Sequence, residues 1–418
     1  MTRTTPANRR RPAQPRPAQQ RPASQRPRRR PLSREEALER QRRRDHQREM
    51  EQQSRELAKG PVDLPFLLLV MLLSASFPSA YYETKDHNPM YYFTRQGVFA
   101  IMGVAAMLFI GKINYQRFRA LAKPALFVTV VLLALVLIPG IGLVRNNARR
   151  WLGVGELLTF QPSEIAKVAI VLYFADSISK KKDKMHTFRY GILPYALLLM
   201  LVGGLVLLEP HLSGAILIMG AGAVIMLVGG INWAWVGGAL GAAAAMMYFV
   251  LFVIGYNASR ITYWLDPWED AQGSGYQLSQ SLLSIGSGGL LGVGLGKSRQ
   301  KFMFLPEEHN DFIFAIVCEE LGLIGAGIIM LLFAALILRG YWIALHARDR
   351  FGSLMVVGII TLIALQTFLN IGVVTGLLPT TGISLPFFSY GGTALSMQLA
   401  EMGIVLSVSR QMRPTKAG

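Results

Sequence analysis

The chain has 418 residues, of which 52% are hydrophobic and 16% charged, and its mean hydropathy is positive at +0.35. A soluble domain carries about a quarter charged residues, so this composition excludes a string of soluble domains despite the length. The net charge of +18 has the size of a nucleic-acid signature, but much of it precedes Gly60, which argues against that partner.

Residues 1–62 form an Arg/Pro-rich arm in which Arg28–Arg30 and Arg42–Arg44 stand among Pro, Gln and Ala. Such a segment can bury no core, and disorder is expected to about Leu32. Ser33 with Glu36 spells a capping box ahead of alternating Glu and Arg, which predicts a short surface helix before Lys59. The arm's charge suits anionic headgroups on the cytoplasmic face; a docking arm for a cytoplasmic partner is the sharper alternative. The first apolar run starts only at Leu64, so no cleavable signal peptide is read and the first span is expected to stay as an anchor.

From there the fold class is that of an all-α polytopic membrane protein, with residues 63–413 as the membrane domain. Ten spans are predicted: Leu64–Tyr81, Tyr92–Ile110, Pro124–Leu143, Pro162–Ile178, Ile192–Leu208, Leu212–Gly229, Trp233–Ile254, Phe312–Leu338, Gly352–Leu377 and Thr393–Ser409. Each is near the ~20 residues that a helix needs to cross a bilayer, and none alternates as a barrel strand does. The basic loops holding Lys112 to Lys123, Lys180 to Lys182 and Arg339 to Arg350 fall on one side with both termini, which makes that side the cytoplasm. A large outer loop, 255–311, separates the seventh and eighth spans, and loops of that length are usually functional or disordered. Trp264, Trp268 and Tyr276 favour an ordered one. The one cysteine, Cys318, lies inside a predicted span, so neither a disulfide framework nor a metal cluster is read, and no metal ligand is assigned.

Four outer constellations could carry chemistry. Asn147-Ala-Arg149-Arg150-Trp151 puts guanidinium forks, which match phosphate oxygens, at a surface that usually avoids positive charge. Headgroup snorkelling is the plainer reading of those arginines. Pro162 opens the fourth span, in which Glu164 and Lys167 are one turn apart and able to pair; they serve either a site or a neutral link between helices. Next, the glycine run from Gly286 to Ser298 fails as a nucleotide loop, because Leu291 stands where that motif needs glycine. Lys297, Arg299 and Lys301 at its end could join Arg149 and Arg150 in one basic cleft, or be a solvated turn. Third, Asp311 opens the eighth span beside Glu307, Glu308 and His309. A carboxylate there either caps the helix or acts as general base beside a cationic pocket. Lastly, Gly376 to Gly392 is an uncharged loop with two prolines, rigid enough to lie over a cavity.

Ala148-Arg-Arg-Trp151, the Phe-Gln-Pro-Ser-Glu164 stretch, the Leu-Pro-Glu to Asn-Asp311-Phe-Ile-Phe segment and the loop from Ile383 to Gly392, in this order, resemble the SEDS family of cell-wall proteins from about Leu64 to Arg410. The details are most similar to its division-type members, and to their sporulation relatives, in a Gram-positive lineage; the elongation members are a near alternative. The resemblance implies peptidoglycan glycosyltransfer, in which lipid II is polymerised on the outer face of the cytoplasmic membrane at the septum and undecaprenyl pyrophosphate is released. It implies Asp311 as the essential aspartate, Arg149, Arg150 and Trp151 as the Arg-Trp motif, and Glu164 and Lys167 as the family's pair in the fourth span. Lys297 and Arg299 join these as candidates for the pyrophosphate, with room for a divalent cation, Mg or Mn. Implied partners are lipid II, a class B penicillin-binding protein transpeptidase, other divisome proteins and membrane lipids. The eighth and ninth spans are the expected docking face for the transpeptidase, with Gly352, Ser353 and Gly358 permitting close approach. A lipid II flippase and a division scaffold without catalysis are the competing readings. The arm before Gly60 is not part of the family pattern.

Overall fold

The structure, a computed structural model, describes residues 60–74, 91–145, 148–154, 158–232, 258–300, 305–306 and 309–412, with isolated positions at 41, 234–235, 237–238 and 241. The chain divides into two units, Met1–Gln53 and Ser54–Gly418, and of the first only Gln41 is described. The capping box at Ser33 and most of the seventh span lie outside the described residues, as does the first span beyond Ser74.

Eleven α-helices are described: α1 Leu64–Ser74, α2 Tyr91–Ile110, α3 Phe118–Leu137, α4 Pro162–Lys181, α5 Leu193–Leu208, α6 Leu212–Val228, α7 Ala258–Leu265, α8 Tyr276–Gly288, α9 Ile313–Leu345, α10 Arg350–Val374 and α11 Gly392–Ser409. The helices Tyr115–Leu137, Phe188–Leu208, Ile313–Leu345 and Arg350–Val374 are long and apolar enough to cross a bilayer, and Leu64–Ser74, Thr94–Ile110 and Leu212–Val228 are shorter apolar helices. Several boundaries follow from local chemistry. Pro162 starts α4, where its missing N–H costs nothing. Asp349 caps α10 by accepting the Gly352 N–H at 3.1 Å, and Asp63 caps α1 through the Phe66 N–H at 3.0 Å. The third span departs from expectation. Pro124 lies inside α3 rather than opening it, because a tighter turn, Tyr115–Arg117, capped by Asn114, starts the helical path earlier.

The buried centre of the bundle is α10, which packs on α4, α6 and α9, while α2 packs closely on α11. This overturns the use expected of Gly358. A Cβ there would meet Ile225 and Val171 at 2.6 Å, so the glycine lets α10 approach α6 and α4 inside the bundle and offers no face to a partner. On α9, by contrast, Leu323, Ile324, Ile328 and Leu331 are exposed. They form an apolar stripe at helical spacing, suited to lipid or to another apolar helix.

At the end with the Lys/Arg-rich loops, ion pairs lock the helices. Arg339 meets Asp63 at 2.8 Å, and Arg119 meets Asp349 at 2.9 Å. Asp349 also accepts the Tyr115 hydroxyl at 2.7 Å. Its carboxyl is held below the ordinary value by hydrogen bonds from Gln116, Tyr115 and Gly352 and by the Arg119 charge, which outweigh its partial burial.

The opposite end carries an element that the all-α reading did not foresee. A three-stranded antiparallel sheet, β1 Leu143–Arg145, β2 Ala148–Val154 and β3 Leu158–Phe160, fills the connection between α3 and α4. The expected outer loop also holds two helices, α7 and α8, of which α8 packs along α9.

Candidate active site

The sheet decides where the two arginines go. Successive strand residues point to opposite faces, and Arg149 and Arg150 are neighbours on β2. Arg149 turns back toward the end of α3, where its stem lies over Gly142 and its Nη1 donates to the Leu137 carbonyl at 3.1 Å. Arg150 turns toward the tight connection between α5 and α6. Its Nε donates to the Glu209 carbonyl at 3.1 Å, and its Nη2 donates to the Pro210 carbonyl.

Beside Arg150 opens a cavity of about 460 Å³ that is lined by Ser213 from the start of α6, Tyr263 and Trp264 from α7, Asp311 and Phe312 ahead of α9, and Thr380, Thr381 and Gly382. Arg150 and Asp311 are thus brought together. The Nε edge of the guanidinium is spent on two backbone carbonyls, which fixes its plane and leaves its remaining N–H groups for a ligand. Burial pulls the guanidinium below its ordinary value, and the charges of Glu209 and Asp311 work against that shift. Trp264 is tethered by its indole N–H to the Gly376 carbonyl at 2.8 Å, and Ser213 donates to the Gly382 carbonyl at 3.3 Å.

The remaining candidates do not line this cavity. Trp151 sits in β2 opposite Leu143. Glu164 and Lys167 pair at 2.8 Å within α4, where Lys167 is buried. Lys297 and Arg299 are exposed, on a run whose backbone is anchored to α9. The Gly296 N–H donates to Glu320 at 3.0 Å, the Arg299 N–H donates to Glu319 at 3.0 Å, and the Ser298 hydroxyl donates to Glu319. Glu319 and Glu320 are both buried in α9, so the glycine run wraps around carboxylates beyond Asp311 in that helix. The run crosses α9 at Gly322, whose φ of 66° and ψ of −171° break the helix. A Cβ there would fall against the Gly292 nitrogen and the Leu290 carbonyl, so glycine alone fits. Among the described residues no three His, Cys, Asp or Glu side chains come together as a metal set.

A family model described as "Cell cycle protein", covering FtsW, RodA and SpoVE, matches residues 59–414. The chain belongs to the FtsW/RodA/SpoVE family. It is 44% identical over 348 residues, 83% of this chain and 92% of the other, to a "Probable peptidoglycan glycosyltransferase FtsW" of Geobacter metallireducens. Against "Stage V sporulation protein E" of Bacillus subtilis it is 44% identical over 349 residues, 82% of this chain and 93% of the other. Among solved structures it is similar to a chain from "Structural coordination of polymerization and crosslinking by a peptidoglycan synthase complex", with a TM-score of 0.73, 29% identity and coverage of 84% and 98%. The rod shape determining protein RodA of Thermus thermophilus gives 0.63, 29%, 85% and 98%. With this fold and these apolar helices, the chain is a multi-pass membrane protein.

For this FtsW/RodA/SpoVE chain, sequence reasoning took Glu209-Pro210-His211 only as a tight turn, and the structure shows more there. Glu209 is fully buried, and neither of its carboxylate oxygens has a hydrogen-bond partner among the described residues. Burial pushes its pKa up to about 8, against the pull of Arg150. His211, pushed down to about 3 by burial and by the charges of Arg150 and Lys167, is neutral, with Nδ1 at 3.2 Å from Gln161 and 3.3 Å from Ser163. The signal in the sequence was an acid placed between two apolar spans, a position that costs free energy unless it serves something.

Proposed function

We propose that the chain is a peptidoglycan glycosyltransferase that polymerises lipid II on the outer face of the cytoplasmic membrane at the division septum and releases undecaprenyl pyrophosphate. The observation that carries this reading is the shared cavity of Arg150 and Asp311. The similarity to relatives named as peptidoglycan glycosyltransferases supports it.

A lipid-linked donor sugar attached α to pyrophosphate and a β-1,4 product require one inverting displacement. Asp311 accepts the proton of the acceptor's 4-hydroxyl as that oxygen bonds to the donor's C1. The C1–oxygen bond to pyrophosphate breaks, its electron pair stays on the phosphate, and the charge develops toward Arg150. Pyrophosphate leaves without a proton, so no general acid is needed. Asp311 is the one carboxylate lining the cavity among the described residues, a poor donor set for a Mg or Mn ion.

A glycan polymerase leaves strands uncrosslinked, so we propose a class B penicillin-binding protein transpeptidase as partner, together with other divisome proteins. The peptidoglycan synthase complex among the structural neighbours supports this pairing of polymerisation with crosslinking. Transport of lipid II is the competing reading, favoured by the buried Glu164–Lys167 pair inside the bundle. Purified protein in vesicles given lipid II separates the two. Glycan strands appearing together with undecaprenyl pyrophosphate support the enzyme. Lipid II crossing the bilayer with no strand formed supports the transporter.

A further inference from the structure

We infer that Asn370 is a positioning residue for Asp311, and that its side-chain amide ties the reactive aspartate to the cavity wall facing it. The inference rests on the proposed glycosyltransfer. Asn370 lies near the end of α10 and is 1% exposed. Its Nδ2 donates to the Asp311 carbonyl at 2.7 Å and to the Ile383 carbonyl at 2.6 Å. A primary amide has two N–H groups, and both are used here on backbone carbonyls of two different segments. This also fixes the orientation of the amide, since a flipped oxygen would face two acceptors.

The two carbonyls belong to the parts that must keep their spacing. One is that of Asp311 itself. The other lies next to Gly382, whose Cβ, were there one, would sit 3.1 Å from the Asp311 carboxylate. Both Asp311 and Gly382 line the cavity. Around this staple the neighbouring backbone is held by further bonds: Ser389 donates to the Asn310 carbonyl at 2.6 Å, and the Tyr390 N–H donates to the His309 carbonyl at 2.8 Å. Of these bonds, that of Asn370 is made to the aspartate's own carbonyl. The Asn370 Oδ1 is buried with no hydrogen-bond partner among the described residues. Buried acceptors are nearly always satisfied, so an orphaned one marks a side chain held for its donors. Because α10 is the most buried of the four long apolar helices, the staple references Asp311 to the packed interior of the bundle, as a group that must meet a reacting hydroxyl requires.

Asn370→Leu keeps the approximate shape and removes both donors, whereas Asn370→Ser keeps one shorter donor that can reach only one carbonyl. Full-length protein in nanodiscs is given fluorescent lipid II, and its affinity, its binding capacity and the rate of strand formation per binding site are measured. The expected result is a per-site rate lower by about tenfold or more in the leucine variant, a smaller loss in the serine variant, and a Kd within about twofold of the parent. A per-site rate equal to the parent's, with any loss of activity explained by fewer binding sites, overturns the inference; so does a Kd that weakens in step with the rate. Where the leucine variant fails to fold, the serine variant decides by the same criteria. A parent protein that binds lipid II but makes no strands defeats the glycosyltransferase reading instead, which keeps the two failures apart.

Discussion

Arg150 and Asp311 line one cavity, and the carboxylate's charge helps to steady a guanidinium that burial works against. They come from β2 and from the segment ahead of α9, far apart in the chain, and the sheet between α3 and α4 sets the arginine in the wall of the aspartate's cavity.

The two arginines should therefore behave differently. On the proposed mechanism, Arg150→Ala would remove charge-assisted bonds to the leaving pyrophosphate, each worth about 1.5–3 kcal/mol, and should lower kcat/KM for lipid II by on the order of tenfold to a hundredfold. Arg150→Lys keeps the charge but loses the fork and should fall between. Arg149→Ala should act mainly on stability, because Arg149 packs over Gly142 and bonds Leu137. Steady-state kinetics beside thermal melts separate these outcomes; equal kinetic losses at both positions would contradict the division of roles.

Gly322→Ala should be poorly tolerated. The backbone there has a positive φ that suits glycine, and strain of this kind costs about 1–3 kcal/mol before any clash is counted. The added methyl meets the Gly292 and Leu290 backbone, so the glycine run should lift from Glu319 and Glu320. A lower Tm with faster proteolysis between 286 and 300 is expected, and an unchanged Tm would count against the packing described.

How much of this was legible beforehand depended on where the cause lay. Pro162 and the tight turn at Glu209 speak for themselves locally, and α4, α5 and α6 begin and end within a few residues of the expected spans. Pro124 misled because proline usually opens a helix, while the Asn114 cap that starts the turn before it is a weaker signal. The sheet was missed because β1 and β3 have three residues each, too few to show alternation. Without the sheet, two adjacent arginines look like one clamp. Lys297 and Arg299 look like part of a cleft until Glu319 and Glu320, in another element, are seen to hold the backbone of Gly296, Ser298 and Arg299. That Asp311 stands just ahead of a helix was legible from the sequence, and that it lines a cavity came from the structure; the place of Asn370 was not legible, since its partners are backbone carbonyls that carry no sequence signal.

Glu209 predicts a pH dependence. Its folded pKa, about 8, lies above the ordinary value of 4.5. The folded state therefore holds this proton more tightly, and stability should fall as pH rises from about 4.5 to about 8. Glu209→Gln removes the titration. The Tm of the variant minus that of the parent should grow across that window, and a difference independent of pH would contradict the buried, neutral assignment.

The most direct test of the central claim compares the parent with Asp311→Asn in one lipid II polymerisation assay, using purified protein in the same membrane. The substitution is nearly isosteric and removes the proposed base, and loss of a general base typically costs 10²- to 10⁴-fold. The account predicts strands from the parent and none above background from the variant, with expression, folding and lipid II binding retained. Polymerisation by the variant at a rate near the parent's would contradict it.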